Sequence, residues 1–342
     1  MYVHCTPIVS QVQPVHILAI GKDTEMLHRL LQYSVQFTKR SLVFSCGNHL
    51  VAKIIPDRYN SSDYLIEGGT LMLASDGICY LGDVSKFKKQ TFEKLQSALS
   101  SGKVLIDIDS KFTKGLAVSI EQPLQCSVWA YTDKINQKRL KEEILGDGET
   151  SSLTRAFSEA FSIVQIVDGD EFSHSEEVNF HTSYQTLKMS MRGAEKDFHF
   201  PVSFNDIEKF LKHSQNLTVR MTQEAEKLLH GYYLATRKVR NVSNGSIITS
   251  GTLSALISMA ESHARLCLKS RVEEEDALEV IMLYEESLTS MFGPSVLSVP
   301  PLPHIPEDFI EDYLDNQKNK SALQRFKARL QQFAGLHPGH EE

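Results

Sequence analysis

Glu67-Gly68-Gly69-Thr70-Leu71-Met72-Leu73-Ala74-Ser75-Asp76-Gly77-Ile78-Cys79-Tyr80-Leu81-Gly82-Asp83-Val84-Ser85-Lys86-Phe87 is the stretch that decides the fold. An apolar run from Gly77 to Leu81 passes directly into a small polar step, Gly82-Asp83, and then into an amphipathic segment. A buried parallel strand delivers residues to the working edge of a nucleotide-binding sheet in this order. Leu71–Leu73 and Ile78–Leu81 are both expected to be strand. The stretch has the outline of a phosphate-and-magnesium site and lacks the residues that would work it.

The surrounding sequence supplies the rest of such a sheet. Val15 to Ile20 is a β-branched apolar run ending at Gly21, which predicts a buried strand entering a turn. Glu25 to Phe37 follows with Met26, Leu27, Leu30, Leu31 and Val35 at helical spacing, and Ser41 to Ser45 makes a second short strand. Phe87 to Leu99 predicts a helix that turns Phe87, Phe92, Leu95 and Leu99 inward. Lys103–Asp109 and Leu116–Ile120 predict a hairpin turning at Ser110-Lys111, and Cys126–Ala130 and Ile163–Val167 two more buried strands. Strands alternating with helices give an α/β core with a mostly parallel sheet covered on both faces.

After Asp168 the pattern changes. Residues 169–203 are polar and weakly periodic, a linker, and from Phe204 onward the pattern is helical only. Thr222 is placed to cap a helix carrying Ala225, Leu228, Leu229, Tyr232 and Val239 on one face. A second helix opens after Thr249-Ser250 and buries Leu253, Leu256, Ile257, Ala260 and Ala264. A third opens on the acids Glu273 to Asp276, buries Ala277, Val280, Ile281, Tyr284 and Leu288, and stops at Gly293-Pro294. The division is therefore a core over 1–168, a linker over 169–203, an all-helical lid over 204–293, a proline-rich linker over 294–306 and a tail over 307–342. In the tail, Leu323, Phe326, Leu330 and Phe333 run beside Lys320, Arg325, Lys327 and Arg329. This basic amphipathic helix is suited to a partner helix or a nucleic-acid backbone, or is a terminal helix with a solvated face.

Composition excludes several classes. A net charge of −7 argues against a strongly basic nucleic-acid binder, while leaving room for a local basic surface. Cys5, Cys46, Cys79, Cys126 and Cys267 are scattered and form no CxxC pair, which fits reduced, mostly buried thiols. The 13 histidines show no metal spacing, and His263 on a lid helix fits a structural role. No GxSxG, HExxH or Cys/His pairing stands in a credible context, so neither a catalytic residue nor a metal site is expected. No apolar run approaches the roughly 18 residues of a membrane span. The N-terminus lacks the basic start and long apolar core of a signal peptide.

Together these segments resemble the minichromosome maintenance (MCM) family of AAA+ ATPases. Its Walker B region reads roughly E-A-G-A-L-x-L-A-D-x-G-I-C-x-I-D-E-F-D-K-M, against Glu67 to Phe87 here. Its lid pattern I-T-x-R-x-L-E-x-L-I-R is similar to Ile248 to Ile257, with matching helices before and after. The resemblance implies a P-loop-type AAA+ core followed by a helical lid. It also implies that a chain whose first site element begins near Val15 is a short form or C-terminal half.

The family's working positions then fall on particular residues. The Walker A loop G-D-P-G-x-x-K-S aligns with Gly21-Lys22-Asp23-Thr24-Glu25-Met26-Leu27-His28, so Leu27 stands for the phosphate-binding Lys and His28 for the magnesium-binding Ser. Gly82 stands for the Walker B Asp and Asp83 for the water-polarising Glu. Sensor 1 falls on Asp133 or Thr132, the arginine finger on Ala160 (Arg155 lies five residues early), and the sensor-2 Arg on Gly251. A finger alone supplies roughly 10³–10⁵ in rate, about 4–7 kcal/mol. The hairpin tip that presents Lys to DNA in the family falls near Asp107-Ile108-Asp109, which would repel phosphate.

The resemblance thus implies a catalytically degenerate scaffold or accessory subunit, with no cofactor expected and ATP with magnesium as the less favoured case. Its setting would be the nucleus, in meiotic homologous recombination and double-strand-break repair. Its partners would be MCM-like AAA+ subunits, the recombination machinery, and DNA directly or through them, with no membrane. The alternatives are a weakly active DNA-dependent ATPase or helicase subunit with a remodelled site, and a monomeric adaptor using the linker and basic tail.

Overall fold

The computed structural model describes residues 14–45, 47–57, 64–108, 118–133, 160–167, 202–243, 250–292 and 316–335, with the single positions 157, 183, 184, 187, 248 and 297. Five strands form one wholly parallel sheet: β1 (Ile17–Gly21), β2 (Ser41–Val43), β5 (Ile78–Asp83), β8 (Ser127–Asp133) and β9 (Ile163–Val167), in the order β2-β5-β8-β1-β9. Two antiparallel hairpins lie outside it, β3 (Ala52–Pro56) with β4 (Tyr64–Gly68) and β6 (Lys103–Ile108) with β7 (Val118–Pro123).

The two-residue side-chain period of each central strand divides the core into two layers. Leu18 and Ile20, Cys79 and Leu81, and Val128 and Ala130 face one side, where they meet Leu95, Ala98 and Leu99 of α3 (Lys89–Ser101). Ala19, Tyr80 and Trp129 face the other, against Leu27, Leu31 and Val35 of α1 (Thr24–Val35). Met26 and Leu30, expected inward, are 46% and 56% exposed, because the i, i+4, i+8 row alone meets the sheet and the row beside it turns to solvent.

Leu71–Leu73 is not strand. Gly69 approaches the preceding chain so closely that a Cβ there would lie 2.2 Å from the Val51 carbonyl oxygen. The amides of Gly69, Thr70 and Leu71 bond back to the carbonyls of Val51, His49 and Leu50, and the chain closes into one helical turn, α2 (Thr70–Leu73). The strand begins only at Ile78.

The lid consists of α4 (Phe204–Gln215), α5 (Gln223–Ser243), α6 (Ser250–Leu266) and α7 (Glu274–Phe292). Ala277, Val280, Ile281, Tyr284 and Leu288 of α7 are all buried, as expected, and so are Leu256, Ala260 and Ala264 of α6. Val239 of α5 is exposed instead. The segment is also not helical throughout: β10 (Arg220–Met221) and β11 (Arg271–Val272) pair in parallel and bring together the chain entering α5 and α7. Thr222 accepts the Ala225 N–H at 3.4 Å at the start of α5, the expected cap. Lid and core are joined by polar contacts, the Val164 N–H donating to Ser287 Oγ at 2.8 Å and Gln165 Nε2 to Glu286 at 3.3 Å.

The tail helix α8 (Asn316–Ala334) lies on the lid of its own chain. Phe326 and Leu330 are buried among α5 and α7 residues, and Lys327 pairs with Glu274 at the start of α7. Lys320, Arg325 and Arg329 face outward. No helix among the described residues is long and apolar enough to cross a membrane.

Candidate functional site

Parallel strands end together, so their C-terminal tips form one edge where ligands of open α/β sheets bind. Gly21 at the end of β1 sits in register with Asp133 of β8 on one side and Val167 of β9 on the other, and Asp83 of β5 pairs with Tyr131 of β8. The fold therefore brings Gly21, Asp83 and Asp133 together at that edge, with His28 reaching it from α1. The positions aligned with Walker A, Walker B and sensor 1 share one place.

The junction from β1 to α1 is short. A phosphate-cradling loop has four residues between its first glycine and its Gly-Lys pair. Here Lys22 and Asp23 alone separate Gly21 from Thr24, where the helix has already begun. Thr24 to His28, the aligned remainder of the loop, are the first residues of α1. Helix N-terminal amides attract anions, and Asp23 supplies one from within: its Oδ1 accepts the Met26 N–H at 2.9 Å. Glu25 adds a second acid in the first turn, paired with Arg29 at 2.8 Å.

Leu27 takes the lysine position, and it is 1% exposed in the layer under the sheet. Its Cδ1 would lie 3.1 Å from a Cβ on Gly21, and the Val167 carbonyl oxygen 2.9 Å from it. Gly21 is therefore required by the packing of Leu27 and β9, independently of any phosphate.

His28 takes the magnesium-ligand position. Its Nδ1 lies 2.7 Å from the Tyr80 hydroxyl, and its ring contacts both Tyr80 and Tyr131 at centroid distances of 5.9 Å. Burial, then Tyr131, then Asp83 push the Tyr80 phenol well above its ordinary pKa, so it stays protonated. Burial followed by Asp83 raises Tyr131 in the same direction, with Lys86 opposing. Magnesium prefers hard oxygen ligands at near-ideal octahedral geometry, and these three rings present two neutral phenols and an imidazole.

On β5 a bulge between Tyr80 and Gly82 interrupts the pairing with β8, and Gly82 adopts φ +71°. A glycine at the turned position is the usual means of making such a bulge. Asp83, next along, caps the 3₁₀ turn Val84–Lys86: its Oδ1 accepts Ser85 N–H at 3.0 Å and Ser85 Oγ–H at 2.6 Å, and Oδ2 pairs with Lys86 at 3.2 Å. The acid at the general-base position is thus held by local donors.

The remaining positions lie apart from this edge. Ala160 precedes β9 by three residues, near the opposite edge of the sheet, where it packs against the layer containing Phe157 and Phe161. Gly251 lies in the first turn of α6 and brings no side chain. Arg155 lies outside the described residues. Asp107 and Ile108 are not a hairpin tip; they pair with Ser119 and Val118 within the arms, and the turn, including Asp109, lies outside the described residues. Tyr80 and Tyr131 were not singled out from sequence, because each sits in an apolar run where an aromatic residue suggests core.

Comparison with known proteins agrees with this layout. The MCM P-loop domain matches residues 9–122 and the MCM AAA-lid domain residues 205–288, together more than half of the chain. Minichromosome maintenance domain-containing protein 2 of Rattus norvegicus is 33% identical over 314 residues, 88% of this chain and 45% of that protein. The Homo sapiens protein of the same name is 30% identical over 337 residues, 94% of this chain and 48% of its own length. The Probable DNA helicase MCM8 of Arabidopsis thaliana is 23% identical over 315 residues, 80% of this chain and 38% of that protein. The chain spans about half the length of the first two relatives. With a parallel core, a helical lid and both family domains matched in order, the chain belongs to the MCM family.

Proposed function

We propose that this chain is a catalytically degenerate MCM-type AAA+ module, a scaffold or accessory subunit in meiotic homologous recombination and double-strand-break repair in the nucleus. The observation that supports it most is the junction at Gly21, where Asp23 caps α1 and Leu27 is buried at the place of the phosphate-binding lysine. Phosphoryl transfer depends on positioning and on stabilising developing negative charge. An internal carboxylate, a leucine and a histidine–tyrosine contact do neither, so the edge does not fit a magnesium nucleotide. Gly82, Ala160 and Gly251 remove three further charges from the aligned positions.

Under this reading the module's use is its surface. Its partners are MCM-like AAA+ subunits that carry an intact P-loop, the recombination machinery, and DNA directly or through them. The names of relatives, Probable DNA helicase MCM8 and DNA replication licensing factor mcm6 of Dictyostelium discoideum, support a DNA-related setting.

The test is to co-purify the chain with MCM-like candidates and measure steady-state ATP turnover of the complex. Turnover that disappears with the partner's P-loop lysine and is unaffected by Asp83→Asn, with association retained in both cases, is expected. Turnover that survives loss of the partner's lysine and is abolished by Asp83→Asn would overturn the proposal and favour the weakly active ATPase.

A further inference from the structure

The lid holds a cluster that the nucleotide edge does not use. His263 and Cys267 are four residues apart, one turn of helix, at the end of α6, and Asp276 meets them from the first turn of α7. His263 Nδ1 lies 2.8 Å from Asp276 Oδ1, and Cys267 Sγ lies 4.0 Å from His263 Nε2. One ligand atom from each of the three residues lies within 4.8 Å of the others. The sequence showed no such group, because Asp276 lies 13 residues beyond His263, on the helix that follows the break after α6.

The protonation pattern follows from the hydrogen bonds. Asp276 is completely buried. Its carboxylate accepts hydrogen bonds from His263 at 2.8 Å, from the Glu273 N–H at 2.8 Å and from Lys269 at 3.2 Å. An ionised Asp276 accepts from Nδ1–H of His263, which places the imidazole lone pair on Nε2, facing the thiol. That is the arrangement in which a carboxylate fixes a metal-ligating histidine.

We infer that His263 Nε2 and Cys267 Sγ form a binding site for a borderline-soft divalent cation of the Zn²⁺ type, with Asp276 orienting the imidazole. Zinc bonds at about 2.0–2.1 Å to nitrogen and about 2.3 Å to sulfur, which in a tetrahedron separates the two donors by about 3.6 Å. The observed 4.0 Å closes to that value with a few tenths of an ångström of side-chain movement. The donor pair excludes magnesium and calcium, which take oxygen. Two protein ligands leave positions for water or for a side chain of a neighbouring chain.

A Cys–His–Asp nucleophile has the same outline, and the electrostatics argue against it. Burial, then Asp276, push the Cys267 thiol up; Lys269 opposes and Glu279 adds to the rise. The sulfur is therefore a thiol near neutral pH, and a cation must displace its proton to bind, releasing it to solvent. Lys269, 2.9 Å from Glu273 and 3.2 Å from Asp276, places a positive charge beside the site, while Glu279, half-buried on α7, offsets it.

Cobalt titration of the full chain tests this independently of the proposed function. Co²⁺ alone, used as the spectroscopic probe, gives a thiolate-to-cobalt charge-transfer band that Zn²⁺ then displaces. The band is absent in Cys267→Ser and in His263→Gln, while circular dichroism shows both variants folded. Asp276→Asn lowers apparent affinity by about 10–100-fold. No band in the unsubstituted chain, or a band that survives either ligand substitution, would overturn the site.

Discussion

His28 Nδ1 and the Tyr80 hydroxyl lie 2.7 Å apart, joining the first turns of α1 to the central strand β5. His28 takes the position aligned with the magnesium-binding Ser, so the contact ties that position to β5. Tyr131 packs on the same imidazole, with ring centroids 5.9 Å apart.

Putting back the two Walker A side chains should damage the fold before it helps chemistry. Leu27→Lys places an ammonium where the leucine is 1% exposed. Lost packing and charge burial should cost about 3–5 kcal/mol. His28→Ser alone should cost less, about 1–2 kcal/mol, for the Tyr80 partner it leaves behind. Urea unfolding of both variants checks this; a Leu27→Lys variant as stable as the parent would show that the helix start can open.

Gly82→Asp restores the Walker B acid on paper. The backbone there is at φ +71°, with open space around the missing Cβ. The penalty is therefore conformational, about 1–2 kcal/mol, and Gly82→Ala should cost about as much. Thermal melts of the pair separate this from a steric effect, which would make Asp much worse than Ala.

His16 should make the core acid-sensitive. Its Nδ1 accepts the Val128 N–H at 3.1 Å, and burial lowers its pKa from 6.5 to about 4. The unfolded chain takes up the proton first as pH falls. Stability present above about pH 6.5 is therefore lost down to about pH 4, roughly 3 kcal/mol in all. His16→Asn keeps an acceptor without titrating, so its stability between those pH values should be flatter than the parent's. Parallel pH profiles would contradict the assignment.

On the tail, Leu330→Ala should cost about 2–5 kcal/mol, because Leu330 is fully buried against the lid. Lys327→Ala, which removes a partly exposed pair with Glu274, should cost under about 1 kcal/mol. Amide exchange along α5 measures both. Equal effects would mean that charge, not the apolar face, holds α8 in place.

Much of the fold was legible in strand patterns. Ile163–Val167 was located to the residue, and Cys79, Leu81, Val128 and Ala130 alternate with Tyr80 and Trp129 as two-sided burial requires. Leu71–Leu73 misled because a short apolar run fits a strand or a helical turn, and the close approach of Gly69 to Val51 that decides between them is not local in sequence. Leu27, Gly82 and Gly251 can be aligned with the family's working positions without coordinates. The neighbours of His28 cannot, because the His28–Tyr80 contact joins residues 52 positions apart.

The most direct measurement is titration of the purified chain with a fluorescent ATP analogue, with and without magnesium. The proposed degenerate site predicts no saturable, magnesium-dependent binding, and no change on Asp83→Ala. Saturable magnesium-dependent binding that is lost on Lys22→Ala or Asp83→Ala would contradict the account, because it would mean that the Asp23 cap and the His28–Tyr80 contact give way to nucleotide.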